Sequence, residues 1–123
     1  MILVDVDHFK RVNDTLGHHI GDVVLRQVAG KIAGQTRDKD LAVRWGGEEF
    51  VIFLPGCPLE RAGQIAERIR GEVRKVSTEL GLVTASFGVT ERISRESLED
   101  WFIRTDSCLY AAKNGGRDQV IVA

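Results

Sequence analysis

The chain has 123 residues, 17 of them basic and 18 acidic, for a formal net charge of −1, a length that suits one domain burying a single core without disulfides or a structural metal. Such a balance supplies no cationic field of the kind that holds a duplex or an anionic membrane, so nucleic acid is not an expected partner and any anionic ligand must be gripped locally. Cys57 and Cys108 lack CxxC or Cys/His spacing and read as small side chains in a reducing cytosol, no apolar run approaches the roughly 18–20 residues of a membrane span, and the opening MILV is too short for a signal peptide.

Residues 2–4, ILV, read as a buried strand that runs straight into Asp5 and whose beginning is missing. From Gly21 onward Val24, Leu25, Val28 and Ile32 recur at helical spacing, leaving Arg26, Gln27 and Lys31 for the wet face. Residues 40–45, DLAVRW, and 50–55, FVIFLP, flank Gly46 and Gly47. A glycine pair accepts the positive φ of a tight two-residue turn, so these strands are expected as antiparallel neighbours. Pro55, Gly56 and Pro58 end the second strand. Ala62, Ile65, Ala66, Ile69, Val73 and Val76 form another helical stripe, and residues 82–89, LVTASFGV, alternate as a strand does. Leu98, Trp101, Phe102, Cys108, Leu109 and Ala112 mark a last long helix, ahead of a short closing strand, QVIVA. The order strand, helix, strand, strand, helix, strand, helix, strand suits a sheet with helices covering one face, and its first four elements can begin a split βαβ unit.

Two acidic clusters stand at strand ends, Asp5 and Asp7 after the first strand and Glu48 and Glu49 at the hairpin tip. If the first strand lies beside the hairpin, the clusters converge. Any one such acid alone is more often simply solvated. Together, beside glycines that let a phosphate approach the backbone, they suit a phosphate with its metal. Carboxylates combined with substrate phosphates are the usual ligands of Mg²⁺. Successive strand residues face opposite sides, so one of Glu48 and Glu49 should dominate at an ion. Asp-x-Asp after an apolar strand also resembles the nucleophile loop of haloacid-dehalogenase-like phosphatases, but that pattern continues with Thr or Ser where Phe9 stands. An EF-hand would need an oxygen ligand at Phe9 and glycine at Lys10.

Asp5-Val6-Asp7-His8-Phe9-Lys10, then Asn13-Asp14, Gly17-His18, Gly21-Asp22 and Gly46-Gly47-Glu48-Glu49-Phe50, resemble the GGDEF domain of diguanylate cyclases. The match continues through Ser86-Phe87-Gly88-Val89, Thr105-Asp106, Leu109-Tyr110, Ala112-Lys113 and Gly116-Arg117, covering nearly the whole chain. The pentapeptide alone is moderate evidence; the ordered series is very specific. The resemblance implies a ferredoxin-like α/β domain related to the palm of nucleotide cyclases and polymerases. It also implies condensation of two GTP molecules to cyclic di-GMP and two pyrophosphates, by an antiparallel homodimer in which each subunit presents one Mg-GTP.

By position, Asp5, Glu48 and the carbonyl of Val6 would hold Mg²⁺, with Mn²⁺ as the alternative ion, and Glu48 would accept the 3′-hydroxyl proton. Lys10 would stabilise developing charge, and backbone N–H groups of His8, Phe9 and Lys10 would cradle phosphates beside Gly46, Gly47 and Glu49. Lys113 and Arg117 would reach the terminal phosphates; without the family they would read as cations favouring a helix C-terminus. Asn13, His18 and Asp22 match positions that contact guanosine. A carboxylate suits guanine because that base offers N1–H and N2–H₂ donors, whereas adenine would face it with a lone pair. Asp22 also reads as a helix-start residue favoured by capping or the dipole.

Arg37 and Asp40 fit the family's RxxD product-inhibition motif, five residues ahead of the glycine pair, and Arg68 matches a secondary inhibitory arginine. The family's lead-in helix and its Asp-x-Leu-Thr-Gly-Leu-x-Asn-Arg-Arg segment are absent from the sequence. The stretch between Val76 and Leu82 is shorter than in many members, which carry an additional β-hairpin there. The domain is expected in the cytoplasm, joined in the full-length protein to an upstream sensory or dimerisation region that can attach it to a membrane. A non-catalytic cyclic di-GMP or GTP-binding regulatory module is the competing reading, and a plain interaction module the third.

Overall fold

The computed structural model describes all 123 residues. Five strands, Ile2–Val6 (β1), Leu41–Arg44 (β2), Glu49–Phe53 (β3), Ala85–Val89 (β6) and Val120–Val122 (β7), form one sheet in the order β2-β3-β1-β6-β7. β1 pairs antiparallel with both β3 and β6, β2 pairs antiparallel with β3, and β6 runs parallel to β7. The first four of these strands in the chain, with the helices between them, make the expected ferredoxin-like unit, to which a last helix and β7 are added. Ser77–Thr78 (β4) and Gly81–Leu82 (β5) pair separately. A hairpin therefore does form in the shortened stretch, two residues a strand, with Glu79 and Leu80 as the turn and Gly81, at φ 109°, opening the second strand.

Phe9–Leu16 (α1), His18–Ala33 (α2) and Leu59–Val73 (α3) cover one face of the sheet, and Leu98–Asn114 (α4) covers part of the other. Period-two alternation sorts β1 between them. Ile2, Val4 and Val6 enter the larger core with Val24, Val28, Ile52, Ile69 and Phe87, while Leu3 joins Met1, Val51 and Leu109 beneath α4. The helices were expected on one face only, and α4 corrects that. Gly88 explains how α4 comes so near, because a Cβ there would lie 2.5 Å from both Leu109 N and Thr105 O. Replacing Gly88 with alanine should therefore push α4 off β6 and destabilise the domain by about 1–3 kcal/mol, read as a lower urea midpoint with an unchanged slope.

The periodicity starting at Gly21 missed α1 and placed the start of α2 three residues late. Gly17, at φ 88° and ψ 160°, breaks what would otherwise be one helix. α1 is mostly polar and buries only Phe9 and Val12, too few residues to display a stripe. Val76 lies past the end of α3 yet stays in the core, and Leu82 is exposed, so the strand expected over 82–89 begins only at Ala85. All five residues of β6 are buried, because helices lie on both sides of it. No helix is long and apolar enough to cross a membrane.

Candidate functional site

Antiparallel pairing of β1 with β3 puts Asp5 directly across from Glu49, and the Val6 N–H donates to the Glu48 carbonyl at 3.1 Å. The two acidic clusters therefore meet at one end of the sheet. Asp5 is buried, and its Oδ2 accepts from Lys113 Nζ at 2.6 Å. Lys113 sits in the last turn of α4, so this bond ties the second face of the sheet to the acidic end.

Burial pushes the Asp5 carboxyl above its usual range, against the pull of the Lys113 hydrogen bond and charge; Asp7 raises it further and Arg117 lowers it. Glu48 and Glu49 are also pushed up, first by burial and then by the negative charge of Asp5, with Lys113 opposing. Carboxylates that resist ionisation this way gain from a nearby cation. No three His, Cys, Asp or Glu side chains stand close enough together to hold a metal among themselves. The donors are all oxygens, which fits Mg²⁺ completing its shell with backbone carbonyl, water and phosphate.

The connection carrying the two glycines is not the two-residue turn expected. β2 ends at Arg44 and β3 begins at Glu49, neither Gly46 nor Gly47 has positive φ, and the Trp45 N–H closes the loop on the Glu49 carbonyl at 2.8 Å. The guanidinium of Arg44 holds the loop from below, donating from Nη2 to the Gly47 carbonyl at 2.7 Å and from Nε to the Gly46 carbonyl at 3.2 Å. Space is what Gly46 contributes, since a Cβ there would lie 2.9 Å from Glu49 Oε2; around Gly47 the surroundings are open. Arg44 was not singled out in the sequence, where a lone arginine beside Trp45 carries no signal.

Asp7 is the largest departure at the site. Rather than joining an open acidic cluster, it is buried, accepting from Thr84 Oγ1 at 2.7 Å, Ser86 Oγ at 2.7 Å and the Asp118 N–H at 3.0 Å. His8 follows in the left-handed region at φ 54° and leads into α1. The N–H groups that open a helix have no partner within it, which leaves those after His8 available at the acidic end. Lys10 is exposed on α1. Arg117, exposed on the turn after α4, acts on the charge of Asp5, whereas Lys113 is already engaged with it.

Asp22, on α2, lines a cleft of about 490 Å³ with Leu25, Arg26, Ala42, Arg44 and Phe50, so Arg44 belongs both to this cleft and to the glycine loop. His18 is exposed at the start of α2 and does not line the cleft. Asn13 packs its amide against Gly21, where a Cβ would overlap Asn13 Oδ1, and so joins α1 to α2 rather than facing the cleft.

Arg37 and Asp40 lie at the opposite end of β2 from the glycine loop, about 13 Å of strand away. Arg37 Nη2 donates to Asp40 Oδ1 at 2.7 Å, its Nε to Oδ2 at 3.1 Å, and its backbone N–H to Oδ2 at 2.7 Å. The Arg37 hydrogen bond holds the Asp40 carboxyl below the usual carboxylate range. Arg68 is exposed on α3 and bonds to neither.

A family model described as "Diguanylate cyclase, GGDEF domain" matches residues 1–119. Diguanylate cyclase DgcM of Escherichia coli is 46% identical over 124 residues, a match covering 100% of this chain and 30% of that protein. The chain thus spans less than a third of that relative's length. Among solved structures, diguanylate cyclase SiaD of Pseudomonas aeruginosa, in complex with its activator SiaC, is similar at a TM-score of 0.93 and 44% identity, over 99% of this chain and 48% of that one. The GGDEF domain of DgcB from Caulobacter crescentus, in complex with c-di-GMP, matches at a TM-score of 0.93 and 38% identity, over 98% of this chain and 74% of that one.

Proposed function

Because this chain belongs to the GGDEF domain family, we propose that it is the catalytic domain of a diguanylate cyclase, condensing two GTP molecules to cyclic di-GMP with release of two pyrophosphates. What carries the reading is the meeting of Asp5 with Glu48 and Glu49 across β1 and β3, beside the Lys113 ammonium. Asp5, Glu48 and the Val6 carbonyl would hold Mg²⁺ or Mn²⁺. Bound there, the ion would lower the pKa of the attacking 3′-hydroxyl and would offset charge at the α-phosphate.

The chain's own groups do the rest. Glu48 takes the 3′-hydroxyl proton as the general base. Lys10 and the N–H groups following His8 stabilise charge on the phosphates, with Gly46 and Gly47 leaving room and Glu49 bordering them. Arg117 holds the terminal phosphates, and Lys113 serves them from its place on Asp5. Asp22, in the cleft beside Arg44, accepts from the guanine edge and so selects GTP over ATP, with Asn13 and His18 meeting the guanosine from outside that cleft.

A ring closed from two nucleotides needs two such sites face to face, so the active species is an antiparallel homodimer, brought together by an upstream region in the cytoplasm. Arg37 and Asp40, with Arg68, bind the product. One titration of this chain tests the whole: GTP with Mg²⁺ and, separately, cyclic di-GMP should each bind saturably, with ATP at least about tenfold weaker than GTP. Binding of cyclic di-GMP without GTP would replace the enzyme reading with that of a product receptor, and binding of neither would leave an interaction module.

A further inference from the structure

Asp7 is the member of the Asp-x-Asp pair for which the proposed chemistry has no use, and the structure gives it something else to hold. Two of its three hydrogen-bond donors, Thr84 and Ser86, come from β6 and its approach. The third is the Asp118 N–H, in the turn that follows α4. That turn is unusual: Gly116, Arg117 and Asp118 have φ of 110°, 64° and 45° in succession, and two of the three carry side chains. Left-handed residues other than glycine persist where their surroundings over-determine them.

Here the surroundings grip Asp118 at every polar group. Its N–H goes to Asp7; its carbonyl accepts from Arg70 Nη1 at 3.3 Å and its Oδ1 from the same nitrogen at 3.1 Å; its Oδ2 lies 3.5 Å from Arg74 Nε. The Arg117 N–H is fixed as well, on the Ala112 carbonyl at 3.0 Å. The Arg117 side chain, between these fixed points, is left exposed.

We infer that Asp7 and Arg70 are positioning residues which, acting through Asp118, hold Arg117 toward the terminal phosphates of a bound nucleoside triphosphate. This rests on the substrate reading above. Asp7 precedes His8, so one buried carboxylate ties the segment entering α1 to the segment leaving α4, the two segments assigned to the phosphate chain. A guanidinium on a turn already held in its binding conformation loses less freedom on capture than one on a mobile turn. Arg70, two residues from Arg68 on the same helix, extends the support to α3.

The test compares binding of 3′-deoxy-GTP, which lacks the attacking hydroxyl, with that of GMP, which lacks the terminal phosphates, both with Mg²⁺ by calorimetry. Arg70→Met should weaken 3′-deoxy-GTP about tenfold while leaving GMP unchanged. Arg70→Lys should recover part of the loss, and in an Arg117→Ala background Arg70→Met should cost nothing further. Equal weakening of both ligands, or an undiminished effect without Arg117, would overturn the inference. If Arg70→Met fails to fold, Asp118→Asn keeps the N–H to Asp7 while removing the ion pairs, and the same comparison applies, with GMP binding as the check on folding. An Arg117→Ala chain that binds 3′-deoxy-GTP as wild type does would overturn the phosphate assignment itself, whereas a weakened Arg117→Ala beside a neutral Arg70→Met overturns only the positioning role.

Discussion

Glu48→Ala in the complete protein is expected to abolish cyclic di-GMP formation from GTP and Mg²⁺, a fall of about 10³-fold or more. Two losses combine in that figure, because the same carboxylate is assigned both to the ion and to the proton of the attacking hydroxyl. Glu48→Gln separates them from packing: it keeps the side-chain volume and an oxygen donor but cannot accept the proton, and should fall nearly as far. GTP affinity should drop much less than turnover, since Asp22, Lys10 and Arg117 are untouched. Product formation near the wild-type rate in either variant, followed by chromatography, would remove Glu48 from the chemistry. Asp5→Asn makes a useful companion, because it also removes the charge that Lys113 pairs with at 2.6 Å and so disturbs two assigned groups together.

Arg37→Ala and Asp40→Ala should each relieve product inhibition, raising the inhibition constant for cyclic di-GMP about 10- to 100-fold while sparing turnover at low product. The two side chains are already locked together by hydrogen bonds of 2.7 to 3.2 Å, so each variant also frees its partner and the effects should be less than additive. A double variant no worse than either single one would follow from that coupling. Because the Asp40 carboxyl is held below the ordinary carboxylate range, it stays ionised as pH falls toward that range, and inhibition should be flat between about pH 6 and 8. Inhibition that persists unchanged in both variants would move the product site elsewhere. Separation along β2 gives the specificity of this test: the pair sits at the far end from the glycine loop, where substitution does not touch the carboxylates.

How much of this was legible beforehand differs from residue to residue. Helical stripes long enough to bury a face, such as Val24 to Ile32 and Ala62 to Val73, were readable because burial imposes a period on the residues themselves. The short polar α1 was not, since its two buried residues, Phe9 and Val12, make no repeat. Gly46 and Gly47 were correctly marked as a connection between strands and as a source of open space, but the positive φ also expected of them is not there. A glycine pair in sequence does not tell positive φ from open space, and here Gly46 leaves room for the Glu49 carboxylate.

The linear order of residues was enough to establish the family, the ferredoxin-like succession of elements and the identity of the acidic groups at the two strand ends, because residue type and local spacing carry those signals. Which carboxylates share a site was settled by folding. Asp5 on β1 and Asp7 just past its end are two residues apart, yet one meets Glu48, Glu49 and Lys113 while the other is consumed by Thr84, Ser86 and Asp118. Lys113 lies 108 residues from Asp5 along the chain and 2.6 Å from it in space. Partners of that kind are fixed by strand order and helix packing, which depend on every apolar contact in the core at once, so no local spacing announces them.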